Sequence, residues 1–137
     1  MRLPIQIEAI MFRRRNSKIE YLLVKRICER DGFWQPITGG VEQGETKIEA
    51  LKREIKEETG IKNLVRIIED VYYFELSTSL HEKEYVYGVE VLPTKKIVLD
   101  KREHSEFMWC GFQEALRLMK WKGNKEALRR LNKRLNE

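Results

Sequence analysis

Three glutamates lie close together between residues 46 and 59, at spacings that bring them to one side of a helix. Glu57 and Glu58 follow Glu54 by three and four residues, and side chains at these spacings are neighbours on a helix surface. Like charges in this arrangement destabilise a helix in water, so helix formation alone does not explain them. A divalent cation would remove the repulsion, because Mg²⁺ prefers carboxylate oxygens as ligands. The spacing is compatible with a metal site. The alternative is a solvent-exposed helix face on which the glutamates form salt bridges.

Glycines before the helix favour the metal site over the solvated face. Gly39 and Gly40 end one segment, and Gly44 lies in a tight connection just before the helix. Glycine lets the backbone approach a ligand closely, and a helix N-terminus attracts anions such as phosphate. Together these features predict a site for a metal ion and a phosphate.

The same stretch resembles the Nudix box, the signature of the Nudix hydrolases. The pattern is Gly, five residues, Glu, seven residues, Arg-Glu, an aliphatic residue, any residue, Glu-Glu, any residue, Gly and an aliphatic residue. The residues at these positions are Gly39, Glu45, Arg53, Glu54, Ile55, Glu57, Glu58, Gly60 and Ile61. Every fixed position of the pattern is matched.

The resemblance implies a magnesium- or manganese-dependent attack of water on a diphosphate joined to another group. It also implies an α/β/α sandwich with a mixed β-sheet. By matching positions, the implied metal ligands are Glu54, Glu57, Glu58 and a backbone carbonyl of Gly39 or Thr38. Arg53 would orient the glutamates, and Glu45 would support the junction between loop and helix.

A later segment, KREHSEFMW, offers a further acid for this chemistry. Members of the Nudix family often take a general base either from the box or from a glutamate on a later loop. Glu103 is the candidate for that role or for an additional metal ligand, with a surface carboxylate as the alternative. Glu106 is a weaker candidate, and His104 is interpreted as a hydrogen-bonding loop residue.

Candidate substrate-binding residues lie just before the box. Arg26, with Lys25 beside it, could bind phosphates, although neighbours on a strand face opposite ways, so we expect one of them to contribute. Trp34 could stack on a base or a pterin, with a place in the core as the alternative.

The segments around the box resemble one Nudix branch, the dihydroneopterin triphosphate and nucleoside triphosphate pyrophosphohydrolases. EHSEFMW also resembles dinucleoside polyphosphate hydrolases. The leading hypothesis is therefore hydrolysis of a nucleoside or pterin triphosphate to a monophosphate and pyrophosphate. Hydrolysis of dinucleoside polyphosphates and removal of pyrophosphate from RNA 5′ ends remain alternatives. A non-catalytic nucleotide- or RNA-binding module is a further alternative, which the complete set of box acids disfavours.

The hydrophobic pattern predicts a mixed α/β (α+β) domain over residues 1–137, with helices packed on one sheet. We expect a turn at 29–32, a loop at 78–83, and strands at 5–12, 19–27, 64–77, 83–93, 95–99 and 105–112. Helices are expected at 46–59, 113–120 and 124–135. Gly60 should end the first helix, and Asn124 is the candidate N-cap of the last.

Composition sets the remaining expectations. The 137 residues carry a net charge of +5, which suits a polyanionic small molecule such as a nucleotide. The basic C-terminal helix has an apolar face, so we read its charges as a solvated rim rather than a nucleic-acid site. Without a signal-peptide core or a membrane span, we expect a cytoplasmic protein, with Cys28 and Cys110 reduced and buried. Homodimerisation remains open.

Overall fold

The computed structural model describes residues 2–27, 32–76 and 82–137 of the chain. Within these residues there are seven strands and three helices. The strands are β1 (Arg2–Arg15), β2 (Lys18–Arg26), β3 (Trp34–Gln35), β4 (Ile37–Glu42), β5 (Arg66–Glu75), β6 (Lys83–Glu90) and β7 (His104–Cys110). The helices are α1 (Lys47–Thr59), α2 (Phe112–Leu118) and α3 (Lys122–Leu135).

The long strand β1 organises the sheet. One edge of β1 pairs antiparallel first with β4, up to Ala9, and then with β2 from Phe12 onwards. Its other edge pairs parallel with β6, which in turn pairs antiparallel with β5. Strand β2 also pairs antiparallel with β3 and β7. The sheet is therefore mixed, as the sequence predicted.

Alternating side chains place a hydrophobic core on each face of this sheet. Ile7 and Met11 of β1 pack with Leu51 and Ile55 of α1. Strand neighbours that point the other way belong to a second cluster, which contains Ile10, Phe12, Ala115, Ala127, Leu128 and Leu131. Helix α1 thus covers one face while α2 and α3 cover the other, which confirms the α/β/α sandwich.

Local signals explain where α1 begins and ends. The hydroxyl of Thr46 accepts from the backbone N–H of Glu49, and the Glu49 carboxylate accepts from the N–H of Thr46, which makes a complete capping box. Gly60 has a φ of 78° and its N–H donates to the carbonyl of Lys56. A left-handed residue at this position ends a helix, and glycine adopts it without steric cost.

Two local predictions are wrong. Residues 95–99 do not form a strand, because the segment packs beside the end of α1 and the N–H of Val98 donates to the Thr59 carbonyl at 2.9 Å. Asn124 is not an N-cap, since α3 begins at Lys122 with Trp121 as its N-cap. The Asn124 side chain is buried and donates to Glu8 Oε1 at 2.6 Å instead.

Some expectations concern parts of the chain outside the described residues, namely most of the 29–32 turn and the 78–83 loop, and Cys28. Cys110 is buried and not in a disulfide, as expected, and burial raises the pKa of its thiol to about 11. Among the described residues, no helix is long and apolar enough to cross a membrane.

Candidate active site

Arg53 connects the glycine-containing strand β4 with the acidic face of α1. Its Nε donates to Glu45 Oε2 at 2.6 Å and its Nη2 donates to Glu45 Oε1 at 3.0 Å. The same Nη2 donates to the Gly40 carbonyl at 2.9 Å. These hydrogen bonds from Arg53 lower the pKa of Glu45 to about 2. This bidentate pairing with Glu45 fixes the guanidinium at the junction between loop and helix.

The remaining amino group of Arg53 faces the acids that follow it in sequence. Nη1 donates to Glu54 Oε1 at 2.8 Å and lies 3.5 Å from Glu57 Oε2. Burial nevertheless raises the pKa of Glu54, and the Arg53 contact opposes this shift. Arg53 therefore holds the Glu54 carboxylate in place, but it does not fully offset the rise in the pKa of Glu54 that burial causes.

Gly39 lies directly against the Glu54 carboxylate. A Cβ atom added to Gly39 would lie 2.2 Å from Glu54 Cδ and 2.5 Å from Glu54 Oε1, far closer than van der Waals contact allows. A side chain at this position would therefore displace the carboxylate. The first glycine of the box is needed here for space rather than for an unusual backbone angle.

The last acid of the box faces an acid and a histidine from another part of the chain. Ligand atoms of Glu58, Glu103 and His104 all lie within 4.8 Å of one another. Glu58 is buried, and its Oε1 lies 3.5 Å from His104 Nδ1. Backbone hydrogen bonds hold this part of the chain beside the end of α1: the N–H of Val98 donates to the Thr59 carbonyl at 2.9 Å, and the N–H groups of Glu103 and His104 donate to the Asp100 carbonyl. On the other side, His104 lies opposite Arg26 in the β2–β7 pairing.

The electrostatics of Glu58 match a site for a cation. Burial, and after it the neighbouring acids Glu103, Glu54 and Asp100, together raise its pKa to about 10. Among the described residues, no hydrogen-bond donor reaches Glu58 Oε2, although that atom is buried. A hard divalent cation would bind this orphaned oxygen and neutralise the surrounding carboxylates. The residues present therefore fit a divalent metal ion.

The other predicted residues are not members of the Glu58–Glu103–His104 cluster. Arg26 is half-buried, with its guanidinium 5.9 Å from the ring centre of Phe33. Trp34 is half-buried against the α2–α3 core, and Lys25 Nζ lies 5.9 Å from its ring centre. Glu106 faces Lys25 at 3.9 Å and is not part of the metal-ligand cluster.

Sequence reasoning overlooked an aromatic surface next to Arg26. The rings of Phe33 and Trp121 meet edge to face with centres 6.0 Å apart. Lys120 Nζ lies 5.3 Å from the centre of the Phe33 ring and 4.8 Å from that of Trp121. An exposed aromatic beside basic residues would have been a usable signal, since Trp121 lies in the run KWKGNK.

The chain matches the family model of the NUDIX domain over residues 4–131. It belongs to the Nudix family. The mouse bis(5′-nucleosyl)-tetraphosphatase [asymmetrical] is 33% identical over 130 residues, which cover 87% of this chain and 86% of that Nudix relative. The solved structure of the E. coli dihydroneopterin triphosphate pyrophosphohydrolase superposes with a TM-score of 0.77 and 27% identity, covering 93% of both chains.

One further relative differs in length from this Nudix domain. A Myxococcus xanthus protein named octanoyltransferase is 34% identical over 119 residues, or 85% of this chain. The match covers 33% of that protein, so the chain spans about a third of its length.

Proposed function

We propose that this Nudix domain, spanning residues 1–137, is a magnesium-dependent pyrophosphohydrolase that cleaves a phosphoanhydride bond of a nucleoside polyphosphate. The observation that carries the proposal is the buried Glu58 carboxyl group, whose Oε2 has no hydrogen-bond partner among the described residues and which faces Glu103 and His104. Beside this group stands the Arg53-supported face of Glu54 and Glu57. Mn²⁺ would serve in place of Mg²⁺, because both ions accept carboxylate ligands.

The proposed metal ligands are the carboxylates of Glu54, Glu57 and Glu58 and the backbone carbonyl of Gly39. A metal bound there would neutralise phosphate oxygens and lower the pKa of a bound water. Arg53 orients Glu54, while Glu45 fixes the Arg53 guanidinium in turn. Gly60 ends the helix directly after its acids, so that the chain turns away from them.

Glu103 is proposed as the general base or as an additional ligand. Its carboxylate is half-buried and raises the pKa of Glu58, so the two groups share one electrostatic environment. A base must lie within hydrogen-bonding reach of the water that it deprotonates. The place of Glu103 in one cluster with Glu58 and His104 supports this role.

Substrate contacts are proposed for Arg26, which lies opposite His104 in the β2–β7 pairing, and for Trp34, which packs against the α2–α3 core. Arg26 would bind phosphate oxygens, and Trp34 would stack on a base or pterin ring. The reaction first expected is hydrolysis of a nucleoside or pterin triphosphate to a monophosphate and pyrophosphate. Dinucleoside polyphosphates are the second candidate, favoured by the mouse relative that bears a tetraphosphatase name.

The test is turnover of a substrate panel with Mg²⁺, comprising triphosphates, dinucleoside polyphosphates, nucleotide sugars and RNA with a 5′ triphosphate. Hydrolysis of at least one member supports the proposal, and products formed in ¹⁸O-labelled water locate the attacked phosphorus. Binding of a nucleotide with no turnover of any substrate would favour a non-catalytic binding module instead.

A further inference from the structure

The contact between Glu58 and His104 has the spacing of two ligands of one metal ion. Glu58 Oε1 lies 3.5 Å from His104 Nδ1, which is longer than an ordinary N–H···O hydrogen bond of about 2.7 to 3.2 Å. Bonds from a divalent ion to nitrogen or oxygen are about 2.1 Å long, so two ligands of one ion lie about 3.0 to 4.2 Å apart. A carboxylate oxygen of Glu103 lies within 4.8 Å of ligand atoms of both residues. All three side chains are therefore within reach of one ion.

Backbone contacts fix the two members of this cluster that come from the β7 side. Glu103 lies in the turn before β7, and its carbonyl accepts from the N–H of Ile27 at 3.1 Å. His104 is the first residue of β7, and its N–H donates to the Asp100 carbonyl at 3.1 Å. Because Glu103 lies outside the strand, the alternation of strand side chains does not force it away from the neighbouring imidazole. A turn and the last turn of α1 thus supply the three side chains.

The side chains of Glu58 and His104 are shielded from water. Their exposed fractions are 4% and 3%. Glu58 Oε2 is also buried and has no hydrogen-bond partner among the described residues. A buried carboxylate oxygen requires a partner. Since Oε1 faces His104, the orphaned Oε2 leaves the Glu58 carboxylate able to bridge two ions.

The imidazole changes the kind of metal ion that the cluster favours. Carboxylate and water oxygens suit Mg²⁺, whereas imidazole nitrogen suits transition ions such as Zn²⁺. The proposed magnesium ligands Glu54 and Glu57 offer oxygen alone. The cluster of Glu58, Glu103 and His104 offers two carboxylates and one nitrogen. Three protein ligands of these types, with a fourth place left open, are the usual donor set of a catalytic zinc site.

We propose that Glu58, Glu103 and His104 form a second metal position, which binds a transition ion such as Zn²⁺ in preference to Mg²⁺. The proposal rests on the proposed function in one respect, because Glu58 is shared with the magnesium ligands. His104 selects the metal at this position, while Glu54 and Glu57 keep the neighbouring position for Mg²⁺.

Nitrogen NMR of the histidine rings tests direct ligation. The chain has two histidines, His81 and His104, so spectra of His81→Gln and His104→Gln assign the ring signals. With Zn²⁺ added to protein in excess Mg²⁺, the ring nitrogens of His104 should shift as those of a metal-bound imidazole do, and Mg²⁺ alone should leave them unchanged. If His104→Gln does not fold, His81→Gln still assigns the signals. No response of His104 to Zn²⁺, or a response of His81 alone, overturns the proposal and leaves the magnesium site and the hydrolase.

Calorimetric titration measures the selectivity. We expect His104→Gln to weaken Zn²⁺ binding about a hundredfold, the upper end of the loss for a residue that supports a metal, and to change Mg²⁺ binding by less than about twofold. Glu103→Gln should also weaken Zn²⁺ binding, with Glu106→Gln as the matched control outside the cluster. Equal losses for both ions in a folded His104→Gln would show a structural role for His104 and overturn the proposal. Zn²⁺ ligation by His104 without turnover of any substrate would support this position and remove the proposed function alone.

Discussion

Two groups of buried acids occupy different faces of this sheet. On the α1 side, Glu58 faces Glu103 and His104. On the α3 side, Glu8 of β1 and Glu84 of β6 are both buried, and Asn124 of α3 donates to Glu8. Burial raises the pKa of the acids in both places.

The two groups differ in what relieves the burial. Glu8 and Glu84 interact through a hydrogen bond that raises the pKa of Glu8, and the amide of Asn124 donates to Glu8 Oε1. Glu8 Oε2, like Glu58 Oε2, has no hydrogen-bond partner among the described residues. Glu58 has further acids around it, Glu54, Glu103 and Asp100, which one proton cannot neutralise. Burial of an acid alone therefore does not identify a metal site. The number of converging ligands and the lack of an amide donor distinguish it.

The largest expected effect is on catalysis at the α1 group. Glu57→Gln should lower kcat about a thousand-fold, as removal of one catalytic charge-stabilising group does, because it removes a proposed metal ligand. The fold should remain, since the Glu57 side chain is 55% exposed. Glu114→Gln is the matched exposed control. Steady-state kinetics measures kcat, and circular dichroism checks that the variant is folded. A variant with the full rate would exclude Glu57 as a ligand.

Magnesium should act on one acid group and not on the other. We expect Mg²⁺ at a hundred times its Kd to raise the free energy of unfolding by about 2.7 kcal/mol. Chemical denaturation in the presence of Mg²⁺ or of EDTA measures this gain. Glu58→Gln should lose most of this gain, whereas Glu8→Gln should keep it. An equal gain in both variants would contradict the assignment.

The pH dependence without metal follows from the direction of the Glu58 shift. Its folded pKa of about 10 exceeds the ordinary 4.5, so its contribution to stability is complete at low pH and is lost as pH rises towards 10. The free energy of unfolding of wild type should therefore fall relative to Glu58→Gln between about pH 5 and about pH 9. A constant difference between the two proteins would show that Glu58 titrates normally.

Gly39→Ala tests whether catalysis at the proposed metal site depends on the position of the Glu54 carboxylate. We expect kcat to fall about thirtyfold, roughly 2 kcal/mol, because the new methyl group displaces that carboxylate. Gly111→Ala is the control, since an added Cβ there has no atom within 4 Å. Equal kinetics for the two variants would show that Glu54 relaxes without loss.

The smallest effect is expected on the α3 side. Asn124→Ala should cost about 1.5 kcal/mol of unfolding free energy, because it leaves the buried Glu8 without its amide donor. Turnover at saturating Mg²⁺ should be unchanged, with the exposed Asn63→Ala as control. If Asn124→Ala abolished turnover, the two acid groups would not be separate in function.

Local signals in the sequence were sufficient for α1 and its acidic face. The capping box at Thr46, the left-handed Gly60 and the spacing of Leu51 and Ile55 all act within a few residues, so the helix could be predicted from them. The match of the glutamates to the Nudix box supplied the family. The strands β1, β2, β5, β6 and β7 also followed from the hydrophobic pattern, whereas residues 95–99 were wrongly predicted as a strand and the short strands β3 and β4 were not predicted.

The sequence by itself thus determined the helix, its glutamates and the mixed α/β class, because short-range spacing and hydrophobic period encode them. Only the tertiary structure decided that Glu103 and His104 reach Glu58, and that Asn124 serves Glu8 rather than a helix end. Each of these depends on strand pairing or helix docking between residues far apart in the chain. Contacts of that kind are set by how the two faces of the sheet are covered, which no local pattern records.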